Sequence, residues 1–198
     1  MPAYTCGAAV KSAPRLKESD THERTGCCRF AAAGRAARRT DAGQAGSAGL
    51  TDPEATAWIG APVKGAAQAV DVGPVWLIAE LESIADLEGL QHDEARLAAY
   101  YVPKGWTGAT LYAADSDRVV VRSFAPGDGI AEDPVCGSGN GAAAAFRLAA
   151  GQIGAGDSYV ASQGRQVGRD GFITIRIAGQ DIHVGGQCVT CITGSVML

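Results

Sequence analysis

Residues 132–141 constrain the possible fold of this chain more than any other stretch. Within them Asp133, Cys136 and Ser138 stand among three glycines, and four alanines follow directly. Glycine lets a ligand approach the main chain closely, and the first N–H groups of a helix have no acceptor inside that helix. The run therefore predicts a helix from about Ser138 to Ala150, whose start can bind an anion.

The same run supplies candidate catalytic and binding groups. Asp133 and Cys136 lie where a proton can be transferred, and a thiol at the start of a helix is expected to have a lowered pKa. The candidate contacts for an anionic ligand are Gly137, Ser138, Gly139 and Asn140. A structural interpretation stays open, in which Asp133 is an exposed capping residue, Cys136 fills a small space and Ser138 caps the helix.

Motifs on both sides of this run carry a family resemblance. They are Arg122-Ser123-Phe124-Ala125-Pro126, Gly129-Ile130, Glu132-Asp133-Pro134-Val135-Cys136-Gly137-Ser138, Gln163-Gly164-Arg165, Gly168-Arg169-Asp170-Gly171, Val184-Gly185-Gly186 and Gly194. In order and spacing they resemble the C-terminal half of the phenazine-biosynthesis PhzF-like isomerases over about residues 57–198. The resemblance implies a diaminopimelate epimerase-like lobe of the α+β class, a mixed β-sheet curled round a central α-helix, with the active site between two such lobes.

The resemblance also implies an activity. Members of this family are cofactor-independent isomerases or epimerases that move a proton on a small carboxylate-bearing metabolite. Asp133 matches the family's proton-transferring aspartate, and Ser138 matches a residue at the substrate's carboxylate. Cys136 stands where the family most often has Thr, but it matches the cysteine that acts as an acid or base in the diaminopimelate epimerase relatives.

Arg165 is a further candidate for substrate binding. It follows a glycine, and a guanidinium group in such a place can bind a carboxylate through two hydrogen bonds. The alternative is an arginine that is simply exposed on a turn.

Residues 1–56 differ from the rest of the chain. They are rich in Ala, Gly, Arg and Ser without strand or helix periodicity, so we expect a disordered or non-native extension before a lobe at 57–198. The Asn-x-x-Glu-Thr and Gly-His-x-Thr motifs of the family's N-terminal lobe have no match in the sequence. We therefore expect the isomerase to be incomplete in this chain. The alternative is a catalytically inactive lobe that serves only binding or dimerisation.

The net charge and the hydropathy of the sequence exclude some classes of binding partner. The 198 residues carry a net charge of −4, which argues against nucleic acid or an anionic membrane surface as a partner. No apolar run reaches the roughly 20 residues of a membrane-spanning helix, and the sequence shows no signal peptide, so a cytoplasmic protein is expected. The expected partner is a small-molecule carboxylate substrate, and a homodimer is compatible with the sequence.

The six cysteines do not form the pattern of a metal centre. Only Cys188 and Cys191 form a C-x-x-C pair, and no second pair lies at zinc-ligand spacing. Both fall in an apolar strand pattern, so we expect buried thiols there, with a metal or redox role as the alternative. Neither a metal nor a cofactor is expected.

Hydrophobic periodicity predicts the remaining elements. A helix is expected from Asp93 to Tyr101, behind an acidic first turn, and a short connection from Ser83 to Leu90. Strands are expected at 71–81, 110–114, 118–124, 158–163, 172–177, 182–184 and 188–192, the first of them interrupted near its start by the Gly73-Pro74 step.

Overall fold

The computed structural model describes residues 24–28, 38–39, 57–179 and 181–188. These residues form one sheet of ten strands together with three α-helices of six residues or more. The strands are β1 (Arg24–Cys28), β2 (Arg38–Arg39), β3 (Gln68–Asp71), β4 (Val75–Glu80), β5 (Gly108–Ala114), β6 (Val119–Ala125), β7 (Ile130–Asp133), β8 (Ser158–Gln163), β9 (Gly171–Ala178) and β10 (Asp181–Cys188). The helices are α1 (Ile84–Gly89), α2 (Glu94–Tyr101) and α3 (Gly137–Ala149).

The sheet is mixed and curled. Its strands run in the order β1-β10-β9-β8-β6-β5-β4-β3-β2, and β7 pairs with β6 off this path. The β4–β5 and β6–β8 pairs are parallel, and the other pairs are antiparallel. Helix α3 contacts both β3 and β10, which stand near opposite ends of this order, so the sheet must curl to bring both strands to one helix. The predicted α+β class and the curled mixed sheet are confirmed.

Helix α3 can lie close to several strands because its side chains are small. All residues from 139 to 146 are buried, and four of them are alanines. The distance at which a helix packs depends on the side chains at the contact, and short side chains permit a close approach. Ile173, Ile175 and Ile177, which alternate along β9, are in the same buried cluster as α3.

A second hydrophobic cluster brings α1 and α2 onto the sheet. It contains Leu87 of α1, Leu97 and Tyr101 of α2, and Leu111 of β5. The next residue of β5, Tyr112, belongs to the cluster around α3 instead. Adjacent residues of β5 thus contribute to different clusters, which explains why this strand is apolar along nearly its whole length.

In the first part of the sheet one prediction is confirmed and one is wrong. The predicted interruption of the 71–81 strand is confirmed, because a turn at Gly73, whose φ is 109°, separates β3 from β4. The prediction of a simple connection at 83–90 is wrong, because this stretch contains α1. The Oγ of Ser83 accepts a hydrogen bond from the Asp86 N–H at 3.0 Å and so caps that helix.

The other predicted elements agree with the structure more closely. Helix α2 ends at Tyr101 as expected, α3 begins one residue before the predicted start, and β8 has the predicted bounds. Strand β10 is continuous over Asp181–Cys188 where two separate strands were predicted, and the predicted residues beyond 188 lie outside the described part. Across the described ranges, no helix has the length and apolarity needed to cross a bilayer.

Two of the strands fall within residues 1–56. Strand β1 pairs with β10, and β2 pairs with β3, both antiparallel. The division of the chain at residue 57 stays a prediction.

Candidate active site

The candidate site forms where β7 ends and α3 begins. Strand β7 ends at Asp133, and the cap of α3 is Cys136. The Gly139 N–H donates a hydrogen bond to Cys136 Sγ at 3.3 Å. The capping group is therefore the thiol, and the structural interpretation in which Ser138 caps this helix is wrong.

The pKa of Cys136 differs from the sequence expectation. The pKa of this thiol is raised to about 11, mainly by burial and also by the nearby charge of Asp133. The Gly139 N–H and the hydroxyls of Ser138 and Ser123 lower it, but they do not offset the burial. The predicted lowering of the pKa is wrong, because the thiol is 4% exposed and a buried thiolate loses its solvation. Near neutral pH the group is an uncharged thiol.

Asp133 is half-buried and keeps one carboxylate oxygen unengaged. Its Oδ1 accepts a hydrogen bond from the Val135 N–H at 2.9 Å, which closes a tight turn. Its Oδ2 makes no hydrogen bond to any residue that the structure describes. The side chain is therefore held at one oxygen while the other can accept a proton.

Both carboxylate oxygens of the neighbouring acidic residue, Glu132, take part in an ion pair. Its carboxylate binds Arg122 through two hydrogen bonds, Nε to Oε1 at 2.9 Å and Nη2 to Oε2 at 2.7 Å, and both side chains are buried. The remaining Nη1 of Arg122 donates to the carbonyls of Leu87 and Leu90 at 3.0 and 2.8 Å. This pair fixes β7 against β6 and α1. Asp133 is therefore the acidic group that remains at the N-terminal end of α3, which we call the mouth of α3 (residues 136–139).

Two buried amide side chains hold the loop between β7 and α3. Asn140, which is 1% exposed, donates from Nδ2 to the Cys136 carbonyl and to Gln163 Oε1, each at 2.8 Å. Gln163 Oε1 also accepts from the Cys136 N–H at 3.3 Å, while Gln163 Nε2 donates to the Asp133 carbonyl at 2.7 Å. The amide nitrogen of Asn140, predicted to contact a ligand, is thus engaged within the protein.

Ser138 lies beside the thiol at the open end of α3. Its Oγ accepts a hydrogen bond from Trp76 Nε1 at 3.2 Å and lies 3.8 Å from Cys136 Sγ. The N–H groups of Gly137 and Ser138 have no acceptor within the described residues, and both residues are partly exposed. The Gly139 N–H, in contrast, is bound to the thiol. Two main-chain N–H groups and one hydroxyl therefore remain for an anion.

Gly139 occupies a position that has no room for a side chain. A Cβ atom there would collide with the hydroxyl of Thr110 and lie 2.9 Å from Ser123 Oγ and 3.0 Å from Cys136 Sγ. The two hydroxyls are themselves 2.9 Å apart and fully buried. Glycine therefore allows the first turn of α3 to approach β5 and β6 closely.

Arg165 lies on the turn between β8 and β9. A Cβ on neighbouring Gly164 would meet the Pro134 carbonyl, so this turn packs against the loop that follows β7. The Arg165 guanidinium itself is exposed and pairs with Asp170, Nε to Oδ1, at 3.2 Å. The structure thus places Arg165 near the site but on an exposed ion pair.

Several contributing residues were missed by the sequence reasoning. Trp76 and the hydroxyl pair of Thr110 and Ser123 come from strands β4, β5 and β6, far along the chain from α3. A hydroxyl inside an otherwise apolar strand is a signal that could have identified Thr110 and Ser123. Ser123 and Gln163 were included only as parts of motifs, without a role of their own. The burial of Cys188 and Cys191 stays a prediction, because Cys191 and the side chain of Cys188 lie outside the described part.

Among the described residues, no group of three or more His, Cys, Asp or Glu side chains is arranged to hold a metal ion. The buried thiol of Cys136 is free.

Comparison with known proteins identifies the family. A family model named PhzC-PhzF and described as "Phenazine biosynthesis-like protein" matches residues 32–194. The chain belongs to this family. The match begins before residue 57 and takes in the whole of the candidate site.

Two proteins of Schizosaccharomyces pombe are similar to this PhzC-PhzF family chain. One, named "Uncharacterized isomerase C186.06", is 33% identical over 135 residues, covering 64% of this chain and 73% of the relative. The other, "Antisense-enhancing sequence 1", is 30% identical over 131 residues, covering 63% of this chain and 44% of the relative. The chain thus spans less than half the length of the second of these relatives.

Solved structures of the family share the fold. A phenazine biosynthesis protein of the PhzF family from Enterococcus faecalis superposes with a TM-score of 0.53 at 24% identity, over 68% of this chain and 47% of that one. A putative phenazine biosynthesis PhzC/PhzF protein from Clostridium difficile superposes with a TM-score of 0.54 at 21% identity, over 74% and 52%. The chain therefore matches about half of each of these structures.

Proposed function

We propose that this chain provides one lobe of a cofactor-independent, PhzF-like isomerase that moves a proton on a small carboxylate-bearing metabolite. In this proposal α3 is the central helix of the lobe, and its open end is one wall of the substrate cleft. The observation that carries the proposal is the arrangement at that end. Within the part of the chain that the structure describes, the N–H groups of Gly137 and Ser138 have no acceptor, and neither has Asp133 Oδ2 a donor, four residues before Gly137.

The substrate carboxylate binds at the mouth of α3 in this proposal. Unpaired N–H groups and the partial positive charge of a helix N-terminus favour an anion there. The hydroxyl of Ser138 adds a third donor. Arg165 is available at the edge of the site only if it leaves its exposed pair with Asp170, which is a weak interaction at the surface.

Asp133 acts as the general base. Its carboxylate removes a proton from a carbon of the bound substrate and returns it, or passes it to a second group, at another carbon. Cys136 stays protonated near neutral pH, since burial raises the pKa of its thiol to about 11. It serves the reaction as an uncharged hydrogen-bonding partner beside Asp133 rather than as a thiolate base.

In this proposal the chain supplies only one of the two proton-transfer groups, so it forms half of an active site (the half-site). The family's glutamate motif has no match in the sequence. General acid–base catalysis contributes about 10²–10⁴-fold only when the groups are positioned around the substrate. We therefore expect this chain alone to bind carboxylates without appreciable turnover.

Deuterium incorporation from D2O into a dihydro-hydroxyanthranilate-type substrate tests this proposal. We expect exchange near background, unchanged in Asp133→Asn, together with saturable binding of benzoate that shifts the Gly137 and Ser138 N–H resonances. Asp117→Asn, on the exposed turn between β5 and β6, is the control for a general loss of charge. Exchange that is clear in the wild type and lost in Asp133→Asn would show a complete active site. Absence of benzoate binding would contradict the half-site itself.

A further inference from the structure

We propose that Trp76 is a positioning residue that fixes the Ser138 hydroxyl as a hydrogen-bond donor, so that the site selects a carboxylate over the neutral carboxamide of the same shape. This inference rests on the proposed function, because it concerns how the same site recognises its ligand.

Trp76 is held on β4 in the core beside α3. The residue is 3% exposed and belongs to the hydrophobic cluster around that helix. An indole N–H can only donate a hydrogen bond, and a buried indole needs an acceptor. Trp76 Nε1 finds that acceptor in Ser138 Oγ, 3.2 Å away and 62 residues further along the chain.

This contact determines what Ser138 can still do. A serine hydroxyl has one hydrogen and two lone pairs. The Trp76 N–H occupies one lone pair. Cys136 Sγ lies 3.8 Å from Ser138 Oγ, and either atom can be the donor in that contact. Because the indole N–H can only donate, the hydroxyl hydrogen of Ser138 is directed away from Trp76 and can be donated to a ligand.

This arrangement of hydrogen-bonding groups favours a carboxylate ligand over a carboxamide. The N–H groups of Gly137 and Ser138 and the Ser138 hydroxyl are the three donors of this site. A carboxylate supplies only acceptors and satisfies all three. A carboxamide presents an NH2 group, which would leave a donor facing a donor, and an unmatched polar group lowers affinity.

Binding of benzoate and benzamide, measured by NMR titration, tests the inference. In wild type we expect benzoate to bind more tightly than benzamide. Trp76→Phe removes the indole donor and some buried ring volume, and it should weaken benzoate binding roughly threefold to tenfold, the usual effect of one hydrogen bond, while reducing the preference over benzamide. Ser138→Ala should produce a similar loss. The double variant should bind no more weakly than Ser138→Ala, because the tryptophan acts through the serine.

Trp58→Phe is the matched control, because Trp58 packs against Tyr100 away from α3. The indole N–H resonance that disappears in Trp76→Phe should exchange slowly with solvent in wild type and faster in Ser138→Ala. Thermal unfolding of each variant shows whether it remains folded. A Trp76→Phe variant that is folded and keeps the wild-type preference would overturn the inference while leaving the carboxylate site intact. Failure of wild type to bind benzoate would overturn both proposals.

Discussion

Gln163 and Asp133 are joined by a hydrogen bond of 2.7 Å from the side-chain amide of Gln163 to the main-chain carbonyl of Asp133. The same amide accepts from the Cys136 N–H and from Asn140 Nδ2. One side chain at the end of β8 thus holds the last residue of β7 and the cap of α3. The position of the proposed base depends on a residue 30 positions further along the chain.

Replacement of Gln163 by Met should destabilise the fold and loosen the loop after β7. Gln163 is 2% exposed, and its loss leaves the buried Cys136 N–H without an acceptor, which costs about 1–3 kcal/mol. The control is Gln166→Met, at an exposed glutamine whose amide is 3.5 Å from the Glu88 carbonyl. That change should alter the free energy of unfolding by less than about 0.5 kcal/mol. Urea unfolding measures both, and equal losses would contradict a bracing role for Gln163.

Two glycines of α3 should respond oppositely to the same substitution. Gly139→Ala forces a methyl group against Thr110, Ser123 and Cys136, and overpacking of this kind costs about 1–3 kcal/mol. Gly141→Ala places its methyl 3.6 Å from Val184 Cγ2, an ordinary contact, and alanine favours a helix by up to about 1 kcal/mol over glycine.

Thermal or urea unfolding of the two variants checks this prediction. Gly139→Ala should unfold at a lower denaturant concentration than wild type, and Gly141→Ala at the same or a higher one. If Gly139→Ala were as stable as Gly141→Ala, the close approach of α3 to β5 and β6 would be wrong.

The rate at which Cys136 is alkylated should depend on pH in the way expected for a thiol with a raised pKa. Because burial raises the pKa of this thiol from 9.0 to about 11, iodoacetamide should modify it slowly at pH 8, with a rate that increases until about pH 11. The raised pKa also favours the folded state while the thiol is protonated. That contribution is complete below about pH 9 and is lost as the pH rises towards 11.

Peptide mass spectrometry separates Cys136 from the other cysteines in this experiment. In urea the midpoint of its alkylation rate should return to about pH 9. A midpoint in the folded protein at or below that of the unfolded chain would mean that the helix start stabilises a thiolate, contrary to the structure.

The sequence was most informative where the site is contiguous. Asp133, Cys136 and Ser138 lie within one short run, and the glycines and alanines that follow them define the start of α3 to within one residue. Their position at the end of a strand and the start of a helix can be predicted from residues that are neighbours in the sequence. The membership of the family was also evident from the order of its motifs.

The remaining properties of the site depend on contacts between distant segments. Burial of Cys136 outweighs the effect of the helix start on its pKa, and that burial results from packing in the core cluster with residues distant in the sequence, so it could not be predicted locally. The link from Trp76 to Ser138 spans 62 residues. Helix α1 was missed because it has only six residues, and so short a helix is stabilised mainly by tertiary packing rather than by its own propensity.

A crystal structure of the protein soaked with benzoate tests the central claim most directly. The account predicts that the carboxylate lies within hydrogen-bond distance of the Gly137 and Ser138 N–H groups and of the Ser138 hydroxyl, beside Asp133. Benzoate found only at exposed arginines such as Arg165 and Arg169, with the mouth of α3 empty, would contradict it.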